Sequence, residues 1–295
     1  MGKRIAILAT GDMGHAVGRA LGEHGHEQIT CLAGRSERSR GLAEAGGFRD
    51  VADLEKLVGE ADMVLSILPP ASATGLAREV AQAMRAAASY PVFVDCNAVS
   101  PATVREVTEI VADAGAPVID AGIIGLAPGK GGGPRFYVSG PDTTPMEALD
   151  GCGFRVFPIG GEIGKASGLK MCYAGLTKGT WTLHTAVLLA AEQMGLSAEL
   201  RGEFEISQQP TLAIMEARVP RLPADSGRWI GEMEEIAASF RDVGVASGFH
   251  EAAAEIFRLL AQTPFAEETR ETMDMDRGLE QAIPVYAEVL KRHDG

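Results

Sequence analysis

Short apolar runs rich in β-branched residues alternate with helical spacings through the first half of the chain. RIAILAT, QITCLAG, DMVLSILPP, PVFVDCNAV and PVIDAGII read as buried strands, each apolar nearly throughout rather than at every second position. Between several of them lie stretches rich in Ala, Leu and Glu, such as 14–23 and 74–88, whose apolar residues recur at helical intervals. This alternation predicts a parallel sheet covered on both faces by helices. RFYVSG and RVFPIG predict further strands that close the sheet.

From residue 164 onward the strand signal disappears. Long Ala/Leu/Met/Glu segments predict helices over 166–195, 199–218, 231–244 and 249–262, and the prolines and turn residues of VPRLPADSG interrupt them midway. The pattern therefore predicts a Rossmann-type, doubly wound α/β domain over 1–163 and an all-helical domain over 164–295.

Composition narrows the function. The chain has 295 residues, which suits two domains, and 46% of them are hydrophobic, enough for a substantial core. A net charge of −13 argues against sequence-independent nucleic-acid binding, which needs a basic surface. No run approaches the apolar length of a membrane span, and the opening MGKRIAILAT is too short in its apolar part for a signal peptide. A soluble, cytoplasmic protein is expected. Cys31, Cys96, Cys152 and Cys172 form no C-x-x-C and have no histidine cluster beside them, so neither a disulfide frame nor a metal site is expected.

The segment LATGDMGHAVG follows the first strand. A dinucleotide fold places G-x-G-x-x-G there, so that amides at the helix start reach a pyrophosphate. Here the three positions are Ala9, Gly11 and Gly14, and the turn Thr10, Gly11, Asp12, Met13 and Gly14 is the candidate phosphate cradle. Ala9, in place of the first glycine, is expected to keep a negative φ. At the end of the second strand an NAD site usually carries an acid. LAGRSERSR instead puts Arg35 and Ser36 there, donors suited to a 2′-phosphate, which favours NADP over NAD; Arg38 and Arg40 read as solvated helix charges. The prolines of Leu68, Pro69 and Pro70 end the fourth strand and are expected to wall the cofactor. In DCNAVSP, Asn97 suits either a cofactor contact or a helix cap, and Ser100 suits a cap.

The stretch ASGLKMCYAGL carries one charge, Lys170, in small and apolar surroundings. On a helix starting near Lys165, residues Lys170, Ala174, Thr177, Trp181 and His184 share a face, with Tyr173 beside the lysine. Lys178 lies about 12 Å further along the axis, too far to perturb Lys170 strongly. An ammonium on a rigid helix facing a nicotinamide cleft can protonate a carbonyl oxygen while hydride reaches the carbon.

The order of GDMG, LPP, DCNAVSP, DAGIIG and GKASGLKMCYAGLTKG resembles the β-hydroxyacid dehydrogenase superfamily, which includes 3-hydroxyisobutyrate, tartronate semialdehyde and 6-phosphogluconate dehydrogenases. With RWIGEMEEIA, the chain is similar to a poorly characterised branch that has its own type of helical C-terminal domain. The resemblance implies that Lys170 is the catalytic acid/base, that Asn97 touches the nicotinamide ribose or substrate, and that the helical domain forms a homodimer. It also implies a substrate subsite at Gly122, Ile124 and Gly125, with Tyr173 and Thr177 nearby. Departures accompany it. Ile124 stands where the family has a serine, Tyr173 and Ala174 replace an asparagine, and EMEEI replaces a Lys–Asp pair, with Glu234 and Glu235 reading as solvated charges. The expectation is an NADP-dependent oxidoreductase acting on an alcohol or carbonyl. An imine reductase on the same scaffold is one alternative, and a non-catalytic NADP-binding sensor is another.

Overall fold

The structure is a computed structural model and describes residues 2–269 and 271–291. The chain divides into two compact units, residues 1–171 and 172–295.

The first unit is built on an eight-stranded sheet in the order β3-β2-β1-β4-β5-β6-β7-β8. The strands are β1 (Arg4–Ile7), β2 (Glu27–Thr30), β3 (Arg49–Asp50), β4 (Met63–Ser66), β5 (Val92–Asp95), β6 (Val118–Ile124), β7 (Arg135–Ser139) and β8 (Arg155–Pro158). Strands β1 to β6 are mutually parallel, β7 runs antiparallel to β6, and β8 is parallel to β7. This is the doubly wound arrangement the alternation predicts. All seven expected strands form; β3 is additional, two exposed polar residues carried by pairing with Ile29 and Thr30.

The helices of this unit are α1 (Asp12–Glu23), α2 (Glu37–Ala45), α3 (Leu54–Glu60), α4 (Ala73–Ala87), α5 (Pro101–Asp113) and the short α6 (Thr144–Glu147). The central strands serve both faces. Ala6, Val64, Phe93 and Val118 pack with Leu57, Val80, Met84 and Val107 of α3 to α5. Their neighbours Ile5, Ile7, Leu65, Val94 and Ile119 pack on the other side with Val17 and Leu21 of α1. Two buried faces explain why the strands read as continuous apolar runs.

Helix α7 (Lys165–Met194) begins in the first unit and ends in the second. The second unit continues with α8 (Ser197–Ser207), α9 (Gln209–Arg218), α10 (Pro223–Asp242), α11 (Gly248–Leu260) and α12 (Leu279–Lys291). The expected 199–218 helix is two, parted at Gln208 just before Pro210. The expected break at VPRLPADSG is shorter than its composition suggests: a 3₁₀ turn covers Val219–Arg221, and Pro223 opens α10 as its first residue, where its missing N–H costs nothing. Helix α12 was not expected; Pro284 lies within it, yet Ala282, Ile283 and Tyr286 are buried. Trp229 anchors this unit between Trp181 and Phe257, with ring centroids 5.6 and 5.2 Å away.

Among the described residues no helix is long and apolar enough to cross a membrane, and no cluster of His, Cys, Asp or Glu could hold a metal ion.

Candidate active site

The turn after β1 is organised around its smallest residues. Gly11 is the N-cap of α1 in extended conformation, and no side chain caps the helix. Its first-turn amides are thus left to an outside acceptor. A Cβ on Gly11 would meet nothing within 4 Å, whereas one on Gly14 would lie 2.1 Å from the Ala9 carbonyl oxygen. Gly11 therefore borders open space, and Gly14 permits the turn to close. Ala9 departs from expectation: its φ is +147°, in the region favouring glycine. The closed turn imposes that conformation despite the methyl group.

Side chains around the turn are tied down. The buried Thr10 hydroxyl donates to the Ser39 carbonyl oxygen (2.7 Å), joining the turn to α2. Asp12, an acid at a helix start offered to an anion, is paired with Arg38 at 2.7 Å. That pairing lowers the repulsion an incoming phosphate would meet. Arg38 is thus not merely a solvated charge. Neither is Arg40, which donates to the Leu32 carbonyl at 2.6 Å and the Arg35 carbonyl at 3.2 Å, fixing the 32–35 loop. Ser36 caps α2, its hydroxyl accepting from the Ser39 amide at 3.3 Å. The Arg35 side chain is exposed and has no hydrogen-bond or ion-pair partner among the described residues. It lines a cavity of about 500 Å³ whose walls are part apolar (Leu8, Leu76, Ala83) and part acidic (Asp53, Glu55, Glu79).

A dinucleotide fits these residues: an uncapped helix start with open space at Gly11, and a cavity of mixed apolar and polar lining that carries the unengaged Arg35 guanidinium. Thr10 to Gly14 would hold the pyrophosphate.

At the ends of β4 and β5 the cap question for Asn97 is settled. Ser100 caps α5, accepting from the Thr103 amide at 3.1 Å. The Asn97 side chain is buried and accepts from the Leu68 amide (2.8 Å). It donates to Ser66 Oγ (3.0 Å) and Asp95 Oδ2 (2.9 Å). Both amide protons are committed, so Asn97 fastens the Leu68–Pro70 wall to the strand ends and keeps only one acceptor position to spare. Leu68 and Pro70 are half-buried and Pro69 is exposed.

Along β6, residues Asp120, Gly122 and Ile124 alternate with Ile119, Ala121 and Ile123, which enter the core. Gly122 faces α7. A Cβ there would lie 2.6 Å from the Ala166 carbonyl oxygen and 3.0 Å from the Lys170 Cβ, so the absent side chain lets the helix rest on the strand. Lys170 is half-buried at that contact. Ile124 is buried and Gly125 is exposed at the strand's carboxyl end. Parallel sheets bind ligands at this end of their strands.

Tyr173 and Thr177 lie further along α7, within the second unit. Tyr173 is exposed, and the Thr177 hydroxyl bonds back to the Tyr173 and Ala174 carbonyls, both at 3.2 Å. His184 is buried, its Nδ1 has no partner among the described residues, and burial pushes its imidazole below the usual histidine value. Sequence reasoning missed the Lys178–Glu232 ion pair, closed at 2.8 Å with both side chains 10% exposed or less. The charged signal of EMEEI was visible; which acid turned inward was not. Glu234 instead pairs with Arg258 at the surface.

Comparisons with known proteins find an NAD-binding domain on this sheet. Residues 4–150 match the NAD binding domain of 6-phosphogluconate dehydrogenase, and residues 191–260 match a domain of unknown function (DUF1932). A solved conserved protein of unknown function, described as structurally similar to 3-hydroxyacid dehydrogenases, is 26% identical. The match covers 87% of this chain and 96% of that one with a TM-score of 0.64. The 3-hydroxyisobutyrate dehydrogenase of Pseudomonas aeruginosa is 28% identical over 180 residues, 57% of each chain. An imine reductase from Myxococcus stipitatus, solved with NADP+, shares the fold at 17% identity, covering 90% of this chain and 97% of that one with a TM-score of 0.56. On its sheet, its cofactor turn and its two matched domains, the chain belongs to the β-hydroxyacid dehydrogenase superfamily, in the branch that joins a 6-phosphogluconate-dehydrogenase-type NAD-binding domain to a DUF1932 domain.

Proposed function

We propose that the chain is an NADP-dependent oxidoreductase that interconverts an alcohol and a carbonyl, with Lys170 as general acid/base. One observation carries the reading: Lys170, the sole charge in its stretch, is held by the first turns of α7 against Gly122, toward the ligand-binding end of the parallel strands. When bound, NADPH would supply the hydride in reduction and NADP+ would accept it in oxidation. In reduction the Lys170 ammonium gives a proton to the carbonyl oxygen and is left neutral, to be recharged from water. In oxidation the neutral amine takes the hydroxyl proton. The unengaged Arg35 beside the α2 start supports NADP over NAD. Asn97 and the Leu68–Pro70 wall support the reading by shaping the cofactor's resting place rather than by proton transfer.

The buried Ile124 favours a second reading, reduction of an imine, because an apolar residue replaces the hydroxyl that would greet a carboxylate. Assaying ketones, hydroxy acids and cyclic imines in parallel separates the two. In the favoured case Lys170→Met lowers kcat by about a thousandfold, the middle of the general-acid range. NADPH binding, followed by fluorescence titration, stays intact. Near-normal turnover of that variant removes Lys170 from the chemistry. Tight NADPH binding by the native chain without any hydride transfer would make it a sensor instead.

A further inference from the structure

A single buried carboxylate holds the start of the lysine helix. Asp120 lies within β6 and is fully buried. Its Oδ2 accepts from the amides of Gly164 (2.8 Å), Ala166 (3.1 Å) and Ser167 (3.2 Å) and from the Ser139 hydroxyl (2.9 Å). Its Oδ1 accepts from the Ser167 hydroxyl at 2.7 Å. Ser139 Oγ in turn accepts from the Ala166 amide at 3.1 Å, so β7 joins the clasp. Negative charge at a helix N-terminus is favourable, and here no basic side chain among the described residues shares it.

Two residues on, Gly122 touches Ala166 and Lys170 from the same face of β6. The strand therefore grips both ends of one helical turn: the amides of Gly164, Ala166 and Ser167 at Asp120, and Lys170 at Gly122. Rotating the helix by one residue swings a side chain through about 100°. Misplacing a catalytic group by about 1 Å can cost a hundredfold in rate.

We propose that Asp120 is a positioning residue for Lys170: with Ser139 and Ser167 it sets the phase in which α7 presents the amine. The proposal rests on the reading of Lys170 as the proton carrier. Its test combines steady-state kinetics, NADPH titration and hydrogen–deuterium exchange over residues 164–170. Asp120→Ala is expected to lower kcat about a hundredfold. NADPH affinity should stay unchanged and exchange at the helix start should quicken. Asp120→Asn keeps an oxygen toward the three amides and can donate to Ser167 Oγ, so it should recover most of that rate. Added to Lys170→Met, Asp120→Ala should lower kcat no further.

Should Asp120→Ala fail to fold, Ser139→Ala and Ser167→Ala carry the test. Each removes one bond to the carboxylate, worth about 1 kcal/mol or roughly fivefold in kcat. Full kcat in Asp120→Ala, or in both serine variants, beside a silent Lys170→Met overturns the positioning role and leaves the proposed chemistry standing. An active Lys170→Met removes both.

Discussion

Helices α1 and α7 both start in the first unit, and their first turns are treated in opposite ways. The start of α1 has no side-chain cap, borders open space at Gly11, and is preceded by an alanine at φ +147°. The start of α7 is closed inside the protein by one carboxylate and two serines. Buried polar groups left unsatisfied cost about 1–3 kcal/mol each, so uncapped donors persist where solvent or a ligand can reach them. The contrast assigns different work to the two ends. The open end keeps its donors for an anion, and the closed end spends them on holding a helix still. Ser36, Asp53 and Ser100 cap α2, α3 and α5, while α4 and α6 share the lack of a side-chain cap; what sets the α1 start apart is the open space at Gly11 after a positive-φ alanine.

The most direct way to break this contrast is a matched pair of methyl groups. Gly14→Ala drives a Cβ to 2.1 Å from the Ala9 carbonyl, and Gly122→Ala drives one to 2.6 Å from the Ala166 carbonyl. The first should open the phosphate turn and weaken NADPH binding by ten- to a hundredfold, about the loss of one charge-assisted hydrogen bond. The second should leave NADPH binding near native and strike turnover, because it lifts α7 and Lys170 from the strand. Fluorescence titration and steady-state kinetics on both variants read the outcome. If both lose NADPH alike, the two ends do not divide the work.

A charge reversal at the open end sharpens the same contrast. The Arg35 side chain has no partner to lose among the described residues, so Arg35→Asp leaves the fold alone. It should cost NADPH about a hundredfold in affinity, the removal of one charge-assisted contact plus repulsion. NADH, lacking the 2′-phosphate, should change little. Equal losses for the two coenzymes would take Arg35 out of the selectivity.

Much of this was legible in the sequence, in proportion to how local the physics is. The continuous apolar strands announced a sheet buried on both faces, and the glycine spacing marked the α1 start, because both depend on neighbours in the chain. Strand β3 was illegible, since Arg49 and Asp50 become strand only through pairing with Ile29 and Thr30. Helix α12 was hidden behind Pro284, whose cost is met by burial of Ala282 and Tyr286. At the site, Lys170 stood out as a lone charge, but Asp120 did not. Its role depends on residues 44 to 47 positions away in the chain, at the start of α7. Likewise Glu232 could not be told from Glu234 and Glu235 until α7 brought Lys178 against it.

Ala9 yields the smallest effect and bears on whether the open end is strained. A positive φ is costly for a residue with a Cβ, and Ala9 holds one because Gly14 folds in beneath its carbonyl. Ala9→Gly relieves the clash in the folded state while adding freedom to the unfolded chain; at positive φ the relief outweighs the entropy, leaving a net gain of about 1 kcal/mol. For a chain of this size that raises the thermal midpoint by about 1.5–2 °C. The backbone path is unchanged, so NADPH affinity should move little. If the midpoint falls instead, glycine's unfolded-state entropy exceeds the steric cost, and the turn carries no strain that its neighbours must hold. If the midpoint rises and binding tightens as well, the alanine had been holding the amides of α1 away from their best geometry, and the open end would be adjustable where the closed end at Asp120 is not.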